Sequence, residues 1–188
     1  FCRALELAKS DLEARKNKIK LISEESVKNH LLIQEYKTFD FKNCTENTIK
    51  IKGDFDYQTL AKCLNASRSE KIRLDFNFCL TESEFRNFLK LLNPDILKKI
   101  ETVEDPFPFE LQSWTELNQT VCLSLDWSEL QSADAQSWPY TIAKPSRKHQ
   151  DSFLYMTSRM DHPVGVAHGL AQAQKWPGKV HGFLTLTS

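Results

Sequence analysis

Apolar and polar residues alternate through KIRLDFN, with Ile72, Leu74 and Phe76 set against Arg73, Asp75 and Asn77, the period of two expected of a strand. On that spacing Asp75 and Asn77 share a face. The period then changes. Thr81 with Glu84 three residues later forms a capping-box signature, and Phe85, Phe88, Leu89, Leu91 and Leu92 supply a helical stripe that Asn93-Pro94 ends. A further strand over 102–105 runs into Pro106-Phe107-Pro108. Two strands joined by a crossover helix are most simply parallel, and in parallel α/β folds the chemistry is placed at the carboxyl ends of the strands. Both of these strands end in carboxylates.

The same reading extends along the chain. Phe1, Ala4, Leu5, Leu7, Ala8, Leu12 and Ala14 give helical spacing up to Lys16-Asn17-Lys18. Strands are expected over 31–36 and 48–52, and a helix over 55–64 after Gly53-Asp54. Beyond the central stretch come a helix over 111–117, a strand over 121–127 reaching Asp126, and a poor helical segment over 128–138. A strand over 140–144 stopped by Pro145, a strand over 153–158, a helix over 164–176 and a strand over 180–185 follow. Eight strands alternating with helical segments predict an α/β fold of the TIM-type (β/α)₈ barrel class, although such barrels usually need about 200 residues or more. Only seven residues, 146–152, separate the sixth and seventh strands, so that crossover helix is expected to be degenerate, in a (β/α)₇β-like arrangement. One domain over 1–188 is the expected organisation.

Composition narrows the function classes. With 40% hydrophobic and 27% charged residues in 188, the chain can bury a core and is not a disordered segment. Lys plus Arg and Asp plus Glu both number 25, so charge points to neither a nucleic-acid nor a membrane partner and leaves a small-molecule substrate as the expectation. Five cysteines without a CxxC pair fit neither a disulfide framework nor a zinc site, and buried reduced thiols are expected. No run approaches the ~20 apolar residues of a membrane span, and no signal-peptide pattern opens the chain, so a cytoplasmic protein is expected. Oligomeric state is not set by any of these features.

On a barrel, Lys50 and Lys52 fall on the second strand, and Asp75, Glu104, Asp126 and Lys144 at the ends of the third to sixth. Strands two and six of an eight-strand ring are opposite, so two lysines would face each other across three acids. Hard carboxylate oxygens with room for water and a substrate carboxylate suit Mg²⁺, with Mn²⁺ a possible substitute, better than zinc. A partly desolvated lysine beside such a site can act as a base. Each residue also has a plain structural reading. Lys50 and Lys52 would serve as the polar face of a half-buried strand, and Glu101, Glu104 and Asp105 as a surface charge cluster. Six charged groups at successive strand ends, however, are costly to bury without a purpose.

KIK at 50–52, LDFN at 74–77, VEDP at 103–106, SLD at 124–126 and AKPS at 143–146 resemble, in order, the motifs of the enolase superfamily and its muconate-lactonizing subgroup. The resemblance runs over nearly the whole chain and is strongest over 49–186. It implies that Lys52 is the acid/base catalyst, supported by Lys50, and that Asp75, Glu104 and Asp126 bind Mg²⁺, with Asp105 the alternative to Glu104. Lys144 is implied as the second lysine, on the opposite face of the substrate. TSRMDHPVGVAHGLA at 157–171 and HGFLTL at 181–186 are similar to subgroup members that eliminate water from a cyclohexadiene carboxylate in menaquinone synthesis. The Asp-x-Asp pair usual at the eighth strand of dipeptide epimerases is missing. Asn77, Ser158, Asp161 and His162 are expected as substrate contacts, the last three from their place after the seventh strand, and His162 has an equal alternative as a helix-start residue before Pro163. Two departures stand out: Asp126 is followed by Trp127-Ser128 where relatives have Glu-Ser, and the family's N-terminal capping domain has no counterpart in these residues, so the natural protein is expected to begin earlier. The competing readings are racemisation of an N-acylamino acid and a non-catalytic member of the fold.

Overall fold

Five strands form one parallel sheet in sequential order: β1 (Leu31–Ile33), β2 (Thr48–Lys52), β3 (Lys71–Asp75), β4 (Ile100–Glu104) and β5 (Leu123–Ser124). In this computed structural model the described residues are 2–20, 22, 27–52, 56–126, 133–144, 153–158 and 163–183. The helices are α1 (Cys2–Lys16), α2 (Tyr57–Asn65), α3 (Glu82–Leu91), α4 (Pro94–Leu97), α5 (Leu111–Leu117), α6 (Ala133–Ser137) and α7 (Pro163–Ala173). The chain divides into two compact units, one of residues 30–140 and the other of residues 1–29 with 141–188.

Residues 30–140 hold the sheet, and α2, α3 and α5 connect its strands. Each helix starts where a side chain satisfies its free amides. Asp56 accepts from the N–H groups of Gln58 and Thr59, Glu110 from those of Gln112 and Ser113, and Thr81 with Glu84 forms the expected capping box. The apolar faces of these helices (Leu60 and Leu64, Phe85 and Phe88, Trp114 and Leu117) pack on Ile49, Ile51, Ile72, Leu74, Val103 and Leu123 of the strands. Phe76 meets Phe88 edge-on at 5.5 Å, and Trp138 donates its indole N–H to the carbonyl of Leu123 at 2.9 Å.

The alternation along these strands does not separate core from solvent. Register pairs Lys50 with Arg73, and joins Lys52, Asp75, Glu104 and Ser124 in one row. This polar face is also buried: Lys50, Arg73, Asp75, Thr102, Glu104 and Ser124 are all 4% exposed or less. Parallel strands are covered on both faces, so a period of two here divides helix-facing apolar residues from interior polar ones. The expected half-buried strand is thus corrected. A register shift between Ile72 and Arg73 leaves Glu101 as an extra residue on β4, and such a bulge re-aims a side chain.

Several boundaries move. β1 ends at Ile33 rather than residue 36, because the chain enters turns from Tyr36 onward. β3 ends at Asp75, and Asn77 and Phe78 have left-handed backbones (φ 46° and 59°), so Asn77 does not share a strand face with Asp75. β5 is reduced to two residues. Cys79 is exposed and Cys44, Cys63 and Cys122 are half-buried, against the expectation of buried thiols; none of the four is in a disulfide.

The other unit contains α1 and α7. Its core joins Ala143, Phe153, Met156, Ala173 and Phe183 to Val27, Val166, Leu170 and Trp176. Of the sixth to eighth expected strands, parallel bridges are present at Ala143 with Met156 and Thr157 with Gly182, and Asn29 pairs with His181. The short crossover at 146–152 lies outside the described residues.

Candidate active site

Charged residues gather at the carboxyl ends of β2, β3, β4 and β5. The Lys50 ammonium is buried and bridges two carboxylates, lying 2.9 Å from Asp75 Oδ2 and donating to Glu104 Oε1 at 2.6 Å. Lys52, two residues on, approaches the same Asp75 oxygen at 3.2 Å with 42% of its side chain exposed. One lysine is therefore enclosed and the other reaches solvent. Parallel pairing makes this arrangement, since Lys52, Asp75 and Glu104 are neighbours in register on three adjacent strands.

Burial pushes the Asp75 carboxyl upward, but the ammonium groups of Lys50 and Lys52 outweigh it and hold it below its ordinary range. Asp105 behaves in the opposite way. It is 3% exposed and its carboxyl is pushed up to about 8, first by burial and then by the charges of Glu104, Asp126 and Asp75, against a single backbone hydrogen bond from Asp126. Glu104 and Asp105 are thus interior groups and not members of a surface cluster. Asp126 is half-buried and donates its backbone N–H to Asp105 Oδ1 at 3.0 Å.

A cavity of about 630 Å³ opens beside Lys52, lined also by Gln34, Tyr36, Lys37, Asn77 and Cys79. Tyr36 is buried, and its hydroxyl accepts from the N–H of Asp56 at 3.0 Å, which ties the turn after β1 to the start of α2. Asn77 is exposed on the cavity wall.

Of the residues expected from sequence, Lys50, Lys52, Asp75 and Glu104 are brought into direct contact, with Asp105 and Asp126 next to them. Lys144 belongs to the other unit, where it is buried and donates to Thr157 Oγ1 at 2.5 Å. Ser158 is buried there too, with its N–H on the carbonyl of Gly182. Asp161 and His162 lie outside the described residues. Among the described residues, no three His, Cys, Asp or Glu side chains already converge on one point. The donor set still suits Mg²⁺ in kind: Asp75, Glu104 and Asp126 offer only hard oxygens, and their end of the sheet carries more acid than its two lysines balance.

Two features were not legible in the sequence. Tyr36 and Lys37 reach the cavity from the turn after β1, where a strand is expected as far as residue 36. Arg73 is 2% exposed and meets Glu101 Oε2 at 2.5 Å and His30 Nδ1 at 2.9 Å, while Lys71 meets Glu101 Oε1 at 2.9 Å. The charge of KIR and the acid in IETVE were visible, but the bulge that joins them was not.

No protein-family model matches the chain. The o-succinylbenzoate synthase of Bdellovibrio bacteriovorus is 31% identical over 97% of this chain, and the chain spans 62% of that relative's length. Among solved structures, an o-succinylbenzoate synthase from Thermosynechococcus elongatus BP-1, complexed with Mg in the active site, matches with a TM-score of 0.62 at 18% identity, over 86% of this chain and 61% of that one. A dipeptide epimerase from Enterococcus faecalis V583 matches with a TM-score of 0.63 at 18% identity, over 93% and 62%. Among the described residues no helix is long and apolar enough to cross a membrane.

Proposed function

We propose that this chain, whose fold is the barrel of the enolase superfamily, carries the catalytic residues of an o-succinylbenzoate synthase. The reaction is loss of water from 2-succinyl-6-hydroxy-2,4-cyclohexadiene-1-carboxylate to give 2-succinylbenzoate, in menaquinone biosynthesis. The observation that carries this reading is the shared Asp75 carboxylate, held by a buried Lys50 and by a Lys52 that reaches the cavity. The relative of that name, similar along 97% of this chain, supports it.

Lys52 is the acid/base. Its unprotonated amine takes the proton α to the substrate carboxylate, and the resulting ammonium returns that proton to the departing hydroxyl, so a C–H and a C–O bond break, a C=C bond forms and water leaves. Lys50, enclosed between Asp75 and Glu104, orients those carboxylates. Asp75, Glu104 and Asp126 would hold Mg²⁺, which when bound supplies Lewis-acid stabilisation of the negative charge growing on the substrate. Mn²⁺ is an expected substitute. Lys144, from the AKPS motif, is assigned as the ammonium on the other face of the substrate. Asn77, on the cavity wall, Ser158, Asp161 and His162 are assigned as contacts to this small carboxylate.

The test is turnover of that substrate by the full-length protein, joined to exchange of the α-proton with deuterated water on a slow product-like or N-acylamino acid ligand. Lys52→Ala is expected to lose both turnover and exchange, whereas Lys144→Ala loses turnover and keeps exchange. Exchange persisting in Lys52→Ala would point to a two-base racemase and remove Lys52 as the sole base.

A further inference from the structure

We propose that Asp105 is a positioning residue, one that sets Asp126 and the turn at Asn77 and Phe78 in place and is not itself a cation ligand; this rests on the functional reading above. Asp105 follows Glu104 at the end of β4 and engages two neighbouring segments through three hydrogen bonds. Its N–H donates to the carbonyl of Ser124 at 3.1 Å, its carbonyl accepts from the N–H of Phe78 at 2.7 Å, and its Oδ1 accepts from the N–H of Asp126 at 3.0 Å. The ends of β4 and β5 and the turn after β3 are thus joined through one residue.

Backbone geometry supports the same role. Asp105 has φ 44°, in the left-handed region that few residues other than glycine enter, and Asp and Asn enter more readily than most. Phe78, which it holds through its carbonyl, and Asn77 just before it are also left-handed. Such conformations persist where surrounding bonds over-determine them, and they concentrate at functional sites. The consequence reaches both walls of the site. Asn77 lines the cavity beside Lys52, and Asp126 is the acid assigned to complete the carboxylate set. A carboxylate that is 3% exposed, with one oxygen committed to a backbone amide, is placed to orient a neighbour.

The test uses the full-length protein with two substitutions, read by Mg²⁺ titration calorimetry and by hydrogen exchange of the Asp126 amide. Asp105→Gly suits the left-handed backbone but removes the acceptor; Asp105→Asn keeps an oxygen for the same bond. Asp105→Gly is expected to lower Mg²⁺ affinity by roughly 10- to 100-fold, as removal of an outer partner typically does, while Asp105→Asn stays within about threefold of the unsubstituted protein. The Asp126 amide should exchange faster in Asp105→Gly alone. If Asp105→Asn loses as much affinity as Asp105→Gly, Asp105 is a ligand and the proposal is overturned. Unchanged affinity and protection in Asp105→Gly overturn it as well. Should Asp105→Gly fail to fold, Asp105→Asn decides: wild-type affinity with a protected Asp126 amide supports positioning, and loss of either refutes it. An unsubstituted protein that binds no Mg²⁺ removes the functional reading, and this proposal with it; binding by the unsubstituted protein separates the two.

Discussion

Strands β3 and β4 carry two charged clusters, one toward their amino ends and one at their carboxyl ends, and the two are balanced in opposite ways. In the first, Glu101 is shared by Lys71 and Arg73, and Arg73 also donates to His30 Nδ1, which must be the unprotonated nitrogen because a guanidinium has only donors. Burial pushes the Glu101 carboxyl upward, but Arg73 and Lys71 together hold it below its ordinary value of 4.5. In the second, Lys50 and Lys52 pair with Asp75 and Glu104, Asp105 and Asp126 add further acid beside them, and Asp105 is pushed up to about 8. The first cluster satisfies itself. The second keeps an excess of acid that burial makes costly, the condition that favours a role with a cation or a substrate over a role in holding the fold.

Substitutions should separate the clusters by what they damage. The largest effect is expected from Glu104→Gln or Asp75→Asn, each of which should lower Mg²⁺ affinity and turnover by at least about 100-fold while cooperative unfolding persists, since removing a ligand costs no less than removing its outer partner. Calorimetry with circular dichroism checks this, and near wild-type activity in either variant would remove that ligand from the set. Arg73→Met should do the reverse to stability. Leaving the partly buried Glu101 with Lys71 alone is expected to cost about 3 kcal/mol, read as a lower urea midpoint with an unchanged slope. A midpoint equal to wild type would make the first cluster energetically idle.

The smallest effect concerns acid. Because the Glu101 carboxyl is depressed in the folded protein, its contribution is full above its ordinary value of 4.5 and is lost as pH falls through the lower folded value. The stability difference between the wild type and Glu101→Gln should therefore be constant from neutral pH to about 5 and shrink below it, by no more than about 1 kcal/mol after solvent screening. Urea unfolding at successive pH values measures it. A difference that grows as pH falls would contradict the pairing.

Local signals along the chain were sufficient for much of this organisation. The capping box at Thr81 and Glu84, the helix at Leu111–Leu117 and the strand at Thr48–Lys52 stand where periodicity and end signals place them, because each depends on residues within a few positions of one another. The KIK, LDFN and VEDP motifs likewise singled out Lys50, Lys52, Asp75 and Glu104 as candidates; parallel register sets Lys52, Asp75 and Glu104 in one row, and the Lys50 side chain reaches both carboxylates. What the pattern could not reveal was the environment of those residues. Period-two alternation is the same whether the polar face meets water or a barrel interior, so the burial of Lys50 and Glu104 and the exposure of Lys52 depended on neighbouring strands and helices. The left-handed turn after β3 and the bulge that brings Glu101 to Arg73 depend on contacts such as Phe78 with Asp105 and Arg73 with Glu101, between residues far apart along the chain. No local window contains both partners of such contacts. Residue types and their order were therefore written along the chain, whereas which lysine is enclosed, which acid is held neutral-prone and which is paired were decided only when the strands came together.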